Sequence, residues 1–113
     1  MPLHRRIQER GDSVVRIERE HGVLEWERNA GHTYELRNID VEANFRRQGI
    51  GRALMEELEE LVVEEGGLCI YGFTAGDNRI AQAFYRALGF ELVHLNNFYG
   101  YGRDGYIFHK AVR

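Results

Sequence analysis

Cysteine, proline and lysine are almost absent from this chain of 113 residues, which contains one of each. The lone cysteine, Cys69, excludes an internal disulfide and a cysteine-based metal site, and such cysteine usage is typical of cytoplasmic proteins. The five histidines show no metal-ligand spacing. No run of about 18 apolar residues is present, and the basic start lacks the apolar stretch of a secretory signal. We therefore expect a cytoplasmic protein with no membrane partner and no bound metal.

The residues that are present describe a folded domain. Hydrophobic residues make up 43% of the chain and aromatic residues 12%, which is enough apolar surface for a single core. We therefore predict one domain over residues 1–113. The net charge of −3 argues against a nucleic-acid partner.

Hydrophobic periodicity predicts six strands and two helices. Apolar and polar residues alternate around a turn at Glu20-His21-Gly22, which predicts a hairpin. The third predicted strand covers about residues 34–41, but its alternation slips, and a bulge near Arg37 and Asn38 would keep one face buried. The later elements are predicted as a helix from residue 50 to Gly66-Gly67, a strand at 68–74, a helix at 79–88, and strands at 90–95 and 105–112 joined by a loop.

This order of elements predicts an α/β fold. We expect a mixed β-sheet with helices on both faces and a right-handed parallel crossover through the first helix. Only about a dozen residues precede the first hairpin, so we expect the fold to be short at its N-terminus.

The segment between the third strand and the first helix carries the clearest functional pattern, Arg46-Arg47-Gln48-Gly49-Ile50-Gly51-Arg52-Ala53. Glycines let backbone N–H groups approach a ligand, and the start of a helix favours an anion. A helix selected for stability alone has acids first and bases last, and each misplaced charge costs about 0.3–1 kcal/mol. This helix instead has three arginines at its start and Glu64-Glu65 at its end. The pattern favours a bound anion, and the alternative is a tight turn beside an ordinary surface.

Two common phosphate loops do not fit this segment. A P-loop requires lysine after its last glycine, where this chain has Arg52, and a dinucleotide fingerprint requires a third small residue, where it has Leu54. The segment instead resembles the pyrophosphate loop of the GNAT acetyltransferases, with the pattern Gln/Arg-x-x-Gly-x-Gly/Ala. A later block resembles the same family, in which an asparagine precedes Phe-Tyr and Leu-Gly-Phe: Asn78, Ala81, Phe84, Tyr85, Leu88, Gly89 and Phe90.

The resemblance covers about residues 34–90, and the branch that the chain most resembles is the ribosomal-protein alanine N-acetyltransferases. It implies that acetyl-CoA lies between the third strand and the strand at 68–74, with its pyrophosphate on the amides of residues 48–53. It also implies that Tyr85 protonates the departing thiolate. The cofactor-binding residues that the resemblance implies are Ile39, Val41, Arg46, Arg47, Gln48, Gly49, Ile50, Gly51, Arg52, Ala53, Asn78 and Tyr85.

The spacing of Asn78 and Tyr85 agrees with these roles. Seven residues are about two helical turns, so both side chains can face one ligand from the same side. The alternatives are that Asn78 only caps its helix and that Tyr85 packs in the core with its hydroxyl bonded to backbone.

The chain departs from the resembled branch in two respects. Members that act on protein N-termini often carry a glutamate base at the position of Phe73, and the nearest substitutes here are Glu35 and Asp40 on the third strand. The short N-terminus also predicts that the acceptor site is either open or closed by a second subunit of a homodimer.

The resemblance implies an N-acetyltransferase that moves acetyl from acetyl-CoA to a primary amine by direct attack. The acceptor would be a protein or peptide N-terminus or a small amine. The alternative is a non-catalytic acyl-CoA-binding or regulatory module, which the missing glutamate and the short N-terminus favour. Tyr85 favours the enzyme, because binding alone does not need an acid at that position.

Overall fold

A computed structural model of the protein contains a mixed sheet and two helices. It describes residues 6–9 by their backbone and residues 14–113 in full. The elements are β1 (Arg6–Glu9), β2 (Val14–Arg19), β3 (Gly22–Asn29), β4 (Thr33–Val41), α1 (Ile50–Glu64), β5 (Cys69–Ala75), α2 (Arg79–Ala87), β6 (Glu91–Gly100) and β7 (Arg103–Ala111). Within these residues the sheet has seven strands in the order β1-β2-β3-β4-β5-β7-β6. All neighbouring strands are antiparallel except β4 and β5, which are parallel.

The order of the six predicted strands and two helices is confirmed. Strand β1 was not predicted, because its four residues contain one apolar side chain, Ile7. The predicted shortening at the N-terminus concerns residues 1–13, most of which lie outside the described residues.

The bulge predicted in β4 is confirmed. Glu25 of β3 pairs with Asn38 of β4, whereas the next residue, Trp26, pairs with Leu36. Arg37 is therefore the extra residue, and its insertion lets the apolar side chains on both sides of the slip reach one core.

Strands β4 and β5 separate part-way along their length. They pair at Thr33–Cys69, Tyr34–Ile70 and Glu35–Tyr71, and no later pair joins them. The two strands leave a gap between residues 36–41 of β4 and residues 72–75 of β5. We call this gap the slot. A side chain at Gly72 would put its Cβ 3.0 Å from the Leu36 carbonyl oxygen and 2.3 Å from the Phe108 ring, so only glycine fits at the point where the strands part.

Both helices lie on the same face of the sheet, so the expectation of helices on both faces is wrong for the described residues. Tyr85 of α2 stacks on Phe108 of β7 with ring centroids 3.7 Å apart. On that same face Lys110 of β7 contacts Glu59 of α1 at 3.1 Å and the Leu88 carbonyl oxygen at 2.8 Å. The buried apolar residues of both helices and the sheet form one cluster.

The strand order explains this arrangement. The β4-α1-β5 connection and the β5-α2-β6 connection both join parallel strands and both move in the same direction across the sheet. Two right-handed crossovers that move in one direction place their helices on one face. The opposite face, which we call the open face, has no helix among the described residues.

The predicted loop between the last two strands is mostly a hairpin. Strand β6 continues to Gly100 and β7 begins at Arg103, with an irregular pairing between Leu95 and Gly100. The side chain of Asn97, which has a φ of +54°, accepts a hydrogen bond from the Gly102 N–H at 2.6 Å. Asparagine and glycine predict turns, and here they form a bulge and a tight end instead of a loop.

Candidate active site

The start of α1 presents free backbone N–H groups. Gly49 precedes the helix with a φ of +82°, and no side chain caps the helix there. The first hydrogen bond within the helix joins the Ala53 N–H to the Gly49 carbonyl oxygen at 3.0 Å. The N–H groups of Ile50, Gly51 and Arg52 have no partner among the described residues, so they are available to an anion. The Ala53 N–H is already used in the helix, so the Ala53 amide is less available than these three, and its contact with the pyrophosphate stays a prediction.

The arginines at this end of α1 are largely uncompensated. Arg46 donates from Nε to the Val41 carbonyl oxygen at 3.0 Å and lies 3.8 Å from the exposed carboxylate of Asp40. Arg47 and Arg52 make no ion pair with any described residue. The positive charge therefore adds to the positive end of the helix dipole, which favours an anionic ligand.

At the C-terminal end of α1, other residues of the chain pair with the negative charge and with backbone carbonyl groups. Arg28 binds the Glu65 carboxylate with two hydrogen bonds of 2.8 and 2.7 Å, and the Tyr34 hydroxyl donates to it at 2.7 Å. Arg113 donates to the Gly67 carbonyl oxygen at 2.9 Å. The acidic C-terminal end thus has cationic partners. The unfavourable placement of charge that the sequence suggested for both ends of α1 therefore remains only at its N-terminal end.

The absence of a side chain at Gly51 also lets α1 and α2 pack closely. A Cβ at this position would lie 3.3 Å from the Phe84 ring of α2. Replacing Gly51 by a bulky residue would disturb this contact as well as the free amides. Neutral replacements of Arg47 and Arg52 therefore test the anion site more cleanly than glycine replacements do.

Asn78 caps α2 as the alternative interpretation expected. Its Oδ1 accepts a hydrogen bond from the Ala81 N–H at 3.1 Å. The side-chain NH₂ has no partner among the described residues, so the cap does not prevent Asn78 from donating to a ligand.

Tyr85 is buried in an aromatic cluster on the helix side of the sheet. Its ring stacks on Phe108 and meets Phe84 and Phe90 edge to face. Its hydroxyl makes no hydrogen bond to a described residue, so the backbone bond of the core-tyrosine interpretation is missing. Burial raises the pKa of Tyr85 to about 12. The hydroxyl is therefore protonated at neutral pH, as that of an ordinary tyrosine is, and it is a weaker acid than usual.

The two candidate carboxylates lie on the open face. Glu35 pairs across the sheet with Tyr71 at the last β4–β5 pair, beside the beginning of the slot. Asp40 is more exposed and lines a shallow cavity of about 290 Å³ together with Arg16 and His21. Glu35 and Asp40 therefore lie across the sheet from Tyr85, and the slot is the opening between the two sides.

Phe73 also faces the open side, where it stacks on Phe98 of β6 with ring centroids 5.1 Å apart. Tyr71 meets the edge of the Phe73 ring at 6.1 Å. The position of the resembled branch's glutamate is thus part of an aromatic wall, and Phe73 supplies no base.

Two residues that the sequence did not indicate lie beside Glu35. They are Asn29, the last residue of β3, and Tyr71 of β5. Asn29 belongs to neither of the two motifs, and Tyr71 lies within the predicted strand at 68–74, so neither carried a functional signal in the sequence.

A cavity of about 650 Å³ lies between the start of α2 and the β6–β7 hairpin, and Ala75, at the end of the β5 side of the slot, is among its lining residues. It is also lined by Arg79, Arg103 and the hydrogen-bonded pair of His94 and Asp104. None of the predicted site residues lines this cavity.

Residues 14–90 match the model of the acetyltransferase (GNAT) family. The chain belongs to this family. Over 70 residues it is 34% identical to the ribosomal protein bS18-alanine N-acetyltransferase of Escherichia coli K12, a match that covers 62% of this chain and 47% of that protein. Over 78 residues it is 35% identical to the N-alpha-acetyltransferase RimI of Mycobacterium tuberculosis, covering 69% and 48%. The chain spans about half the length of these two relatives.

A GNAT-family structure from Desulfovibrio desulfuricans has the same fold. It superimposes with a TM-score of 0.82 at 26% identity, over 90% of this chain and 70% of that chain. The resemblance to the GNAT family and to the alanine-acetylating branch is thereby confirmed. Neither helix of the described residues has the length and apolar character needed to cross a membrane.

Proposed function

We propose that this GNAT-family chain is an N-acetyltransferase that moves acetyl from acetyl-CoA to a primary amine by direct attack. The observation that carries the proposal is the slot, which has the uncapped, arginine-rich start of α1 at one end and the protonated hydroxyl of Tyr85 on one side. Two of the relatives are named as an alanine N-acetyltransferase of ribosomal protein bS18 and an N-alpha-acetyltransferase, which supports a protein or peptide N-terminus as the acceptor. A small amine is the other acceptor class.

The start of α1 would hold the pyrophosphate of acetyl-CoA. The N-H groups of Ile50, Gly51 and Arg52 supply donors, and Arg47 and Arg52 supply charge, while Gln48 and Gly49 form the approach to the helix. Arg46 would contribute indirectly, because it binds the carbonyl oxygen of Val41 and so fixes the end of β4.

The slot would hold the pantetheine arm. The backbone of Ile39 and Val41 pairs with β3 on one side, and on the other side, along the slot, no described strand pairs with it. An extended chain with amide groups can pair with such an edge as an added strand would. The free NH₂ of Asn78 supplies a further donor at the start of α2.

Both proton transfers have a candidate group. The amine nitrogen forms a bond to the thioester carbonyl carbon, and its excess proton passes to the Glu35 carboxylate, or to Asp40 if the acceptor enters nearer the end of β4. The C–S bond then breaks, and the sulfur takes the proton of the Tyr85 hydroxyl. The carboxyl group then loses its proton to solvent and the Tyr85 oxygen regains one from solvent, which restores both groups. Orientation and proton transfer together supply the rate enhancement.

The alternative function is a non-catalytic acyl-CoA-binding or regulatory module. The aromatic wall at Phe73 favours it, because that wall occupies the position of the glutamate base. A free-thiol release assay with acetyl-CoA and a panel of peptides and small amines separates the two. Thiol release that requires an amine supports the enzyme, and tight CoA binding without release for any acceptor supports the module.

We expect acetyl-CoA and CoA to stabilise the protein through Arg47 and Arg52. A ligand at 100 times its dissociation constant adds about 2.7 kcal/mol to the free energy of unfolding, which thermal melts detect. Arg47→Gln and Arg52→Gln should each weaken CoA binding about tenfold, since a hydrogen bond to a charged group contributes about 1.5–3 kcal/mol. Arg103→Gln, on the far side of β5, is the matched control and should bind normally. An equal response to ATP, or no response to CoA, would contradict a CoA site.

We also propose that residues 1–113 form a single GNAT domain and that the protein acts in the cytoplasm. The single core cluster of the described residues supports the first proposal. The open face leaves the acceptor side accessible, and a homodimer in which a second copy covers this face is the other way to complete the site.

A further inference from the structure

A row of titratable side chains crosses the open face of the sheet at the beginning of the slot. Cross-strand pairing aligns one residue from each of five strands, β3, β4, β5, β7 and β6, in this row: Glu27, Glu35, Tyr71, His109 and Glu91. The Glu35–Tyr71 pair is the last one before β4 and β5 separate. These two side chains therefore border the slot on the side that no helix covers.

Asn29 bridges this pair. Its Nδ2 donates to the Tyr71 hydroxyl oxygen at 2.5 Å and to Glu35 Oε1 at 3.4 Å. The bridge uses both amide hydrogens of one side chain, and Asn29 has an extended backbone that any residue can adopt. The conformation of the chain thus does not require asparagine at this position, whereas the bridge does.

The surroundings of Glu35 indicate that the bridge fixes the orientation of the Glu35 carboxylate. Arg37 lies 3.9 Å from Glu35 Oε2 but pairs more closely with Glu27, at 2.7 Å. Without Asn29, the Glu35 carboxylate would be free to turn toward Arg37. A carboxylate engaged with an arginine is a poorer proton acceptor and would point away from the slot.

We propose that Asn29 is a positioning residue, which holds the Glu35 carboxylate and the Tyr71 hydroxyl beside the slot so that Glu35 can take the proton of the acceptor amine. This inference rests on the proposed function, in which Glu35 is the catalytic base. Tyr71 is the anchor of the bridge, because its ring is fixed against Phe73 of the aromatic wall.

A double-mutant cycle tests the role. In the wild-type background, Asn29→Ala should lower kcat about 10- to 100-fold, the loss expected from misplacing a reacting group by about 1 Å. The KM for acetyl-CoA should stay within about twofold, because Asn29 lies on the acceptor side. In the Glu35→Gln background, Asn29→Ala should cost no more than about twofold, since the group that it positions is already gone.

Two further variants complete the experiment. Asn96→Ala, at an exposed position of β6, is the matched control and should retain wild-type kcat. Tyr71→Phe keeps the ring and removes the anchor oxygen, so it should lower kcat in the same non-additive way, and it replaces Asn29→Ala in the cycle if that variant does not fold.

The possible outcomes separate the positioning role from the proposed function. Unchanged kcat in Asn29→Ala, or an equal loss in both backgrounds, would overturn the role while the wild-type enzyme still turns over. Wild-type protein that binds CoA but acetylates no amine would refute the proposed function, and the role of Asn29 with it.

Discussion

Tyr85→Phe should lower turnover about 10²- to 10⁴-fold, the usual contribution of a positioned general acid. The hydroxyl makes no hydrogen bond to a described residue, so its removal breaks no protein contact, and the ring keeps its stacking on Phe108. We therefore expect the melting temperature and the CoA affinity to stay near their wild-type values. Turnover, CoA affinity and melting temperature of this one variant check the prediction.

Tyr34→Phe is the matched control for this prediction. Tyr34 is also buried, but its hydroxyl donates to Glu65 at the far end of α1. Its loss should cost about 1 kcal/mol of stability and leave turnover unchanged. Normal turnover in Tyr85→Phe would mean that the thiolate leaves without a proton from this residue.

An α-amine should be acetylated a few hundred times more efficiently than a lysine side chain at pH 7. A lysine with a pKa of about 10.4 is neutral in roughly one molecule in 2,500, a handicap of about 4.6 kcal/mol, whereas an α-amine with a pKa of about 7.8 loses only about 1 kcal/mol. Half-buried Glu35 and exposed Asp40 are the carboxylates beside the slot, and neither can offset so large a difference by deprotonating a lysine.

The comparison requires two peptides of one sequence, one with only its N-terminus free and one with only its lysine free. The ratio of their kcat/KM values should fall about tenfold between pH 7 and pH 9, because the neutral fraction rises about 100-fold for the lysine and only about sevenfold for the α-amine. A lysine preference at pH 7, or a ratio that does not change with pH, would show that the site deprotonates its acceptor by another route.

The uncapped, arginine-rich start of α1, which we propose as the anion site, was predictable because its signals are local. The glycines and arginines of residues 46–52 are consecutive in the sequence, and a helix start places their amides together wherever the rest of the chain lies. The bulge at Arg37 was predictable for a similar reason, since a slip in alternation is visible within one strand.

The remaining features depend on contacts that are distant in sequence. Asn29 and Tyr71 are 42 residues apart, and only the pairing of β4 with β5 brings them together. The placement of both helices on one face depends on the direction of two crossovers across the sheet, which a pattern of apolar residues does not encode. The sequence predicts Phe73 as a departure from the resembled branch, but the contact of Phe73 with Phe98 could be seen only in the fold.

The parting of β4 and β5 gives this sheet two strand edges in its interior. Exposed sheet edges at the periphery of a protein promote aggregation, because a strand of another molecule can pair with them. Here the two edges lie inside the sheet and face each other across the slot. In the proposed function one extended, amide-bearing chain pairs along the slot, which would close these edges to a strand of another molecule.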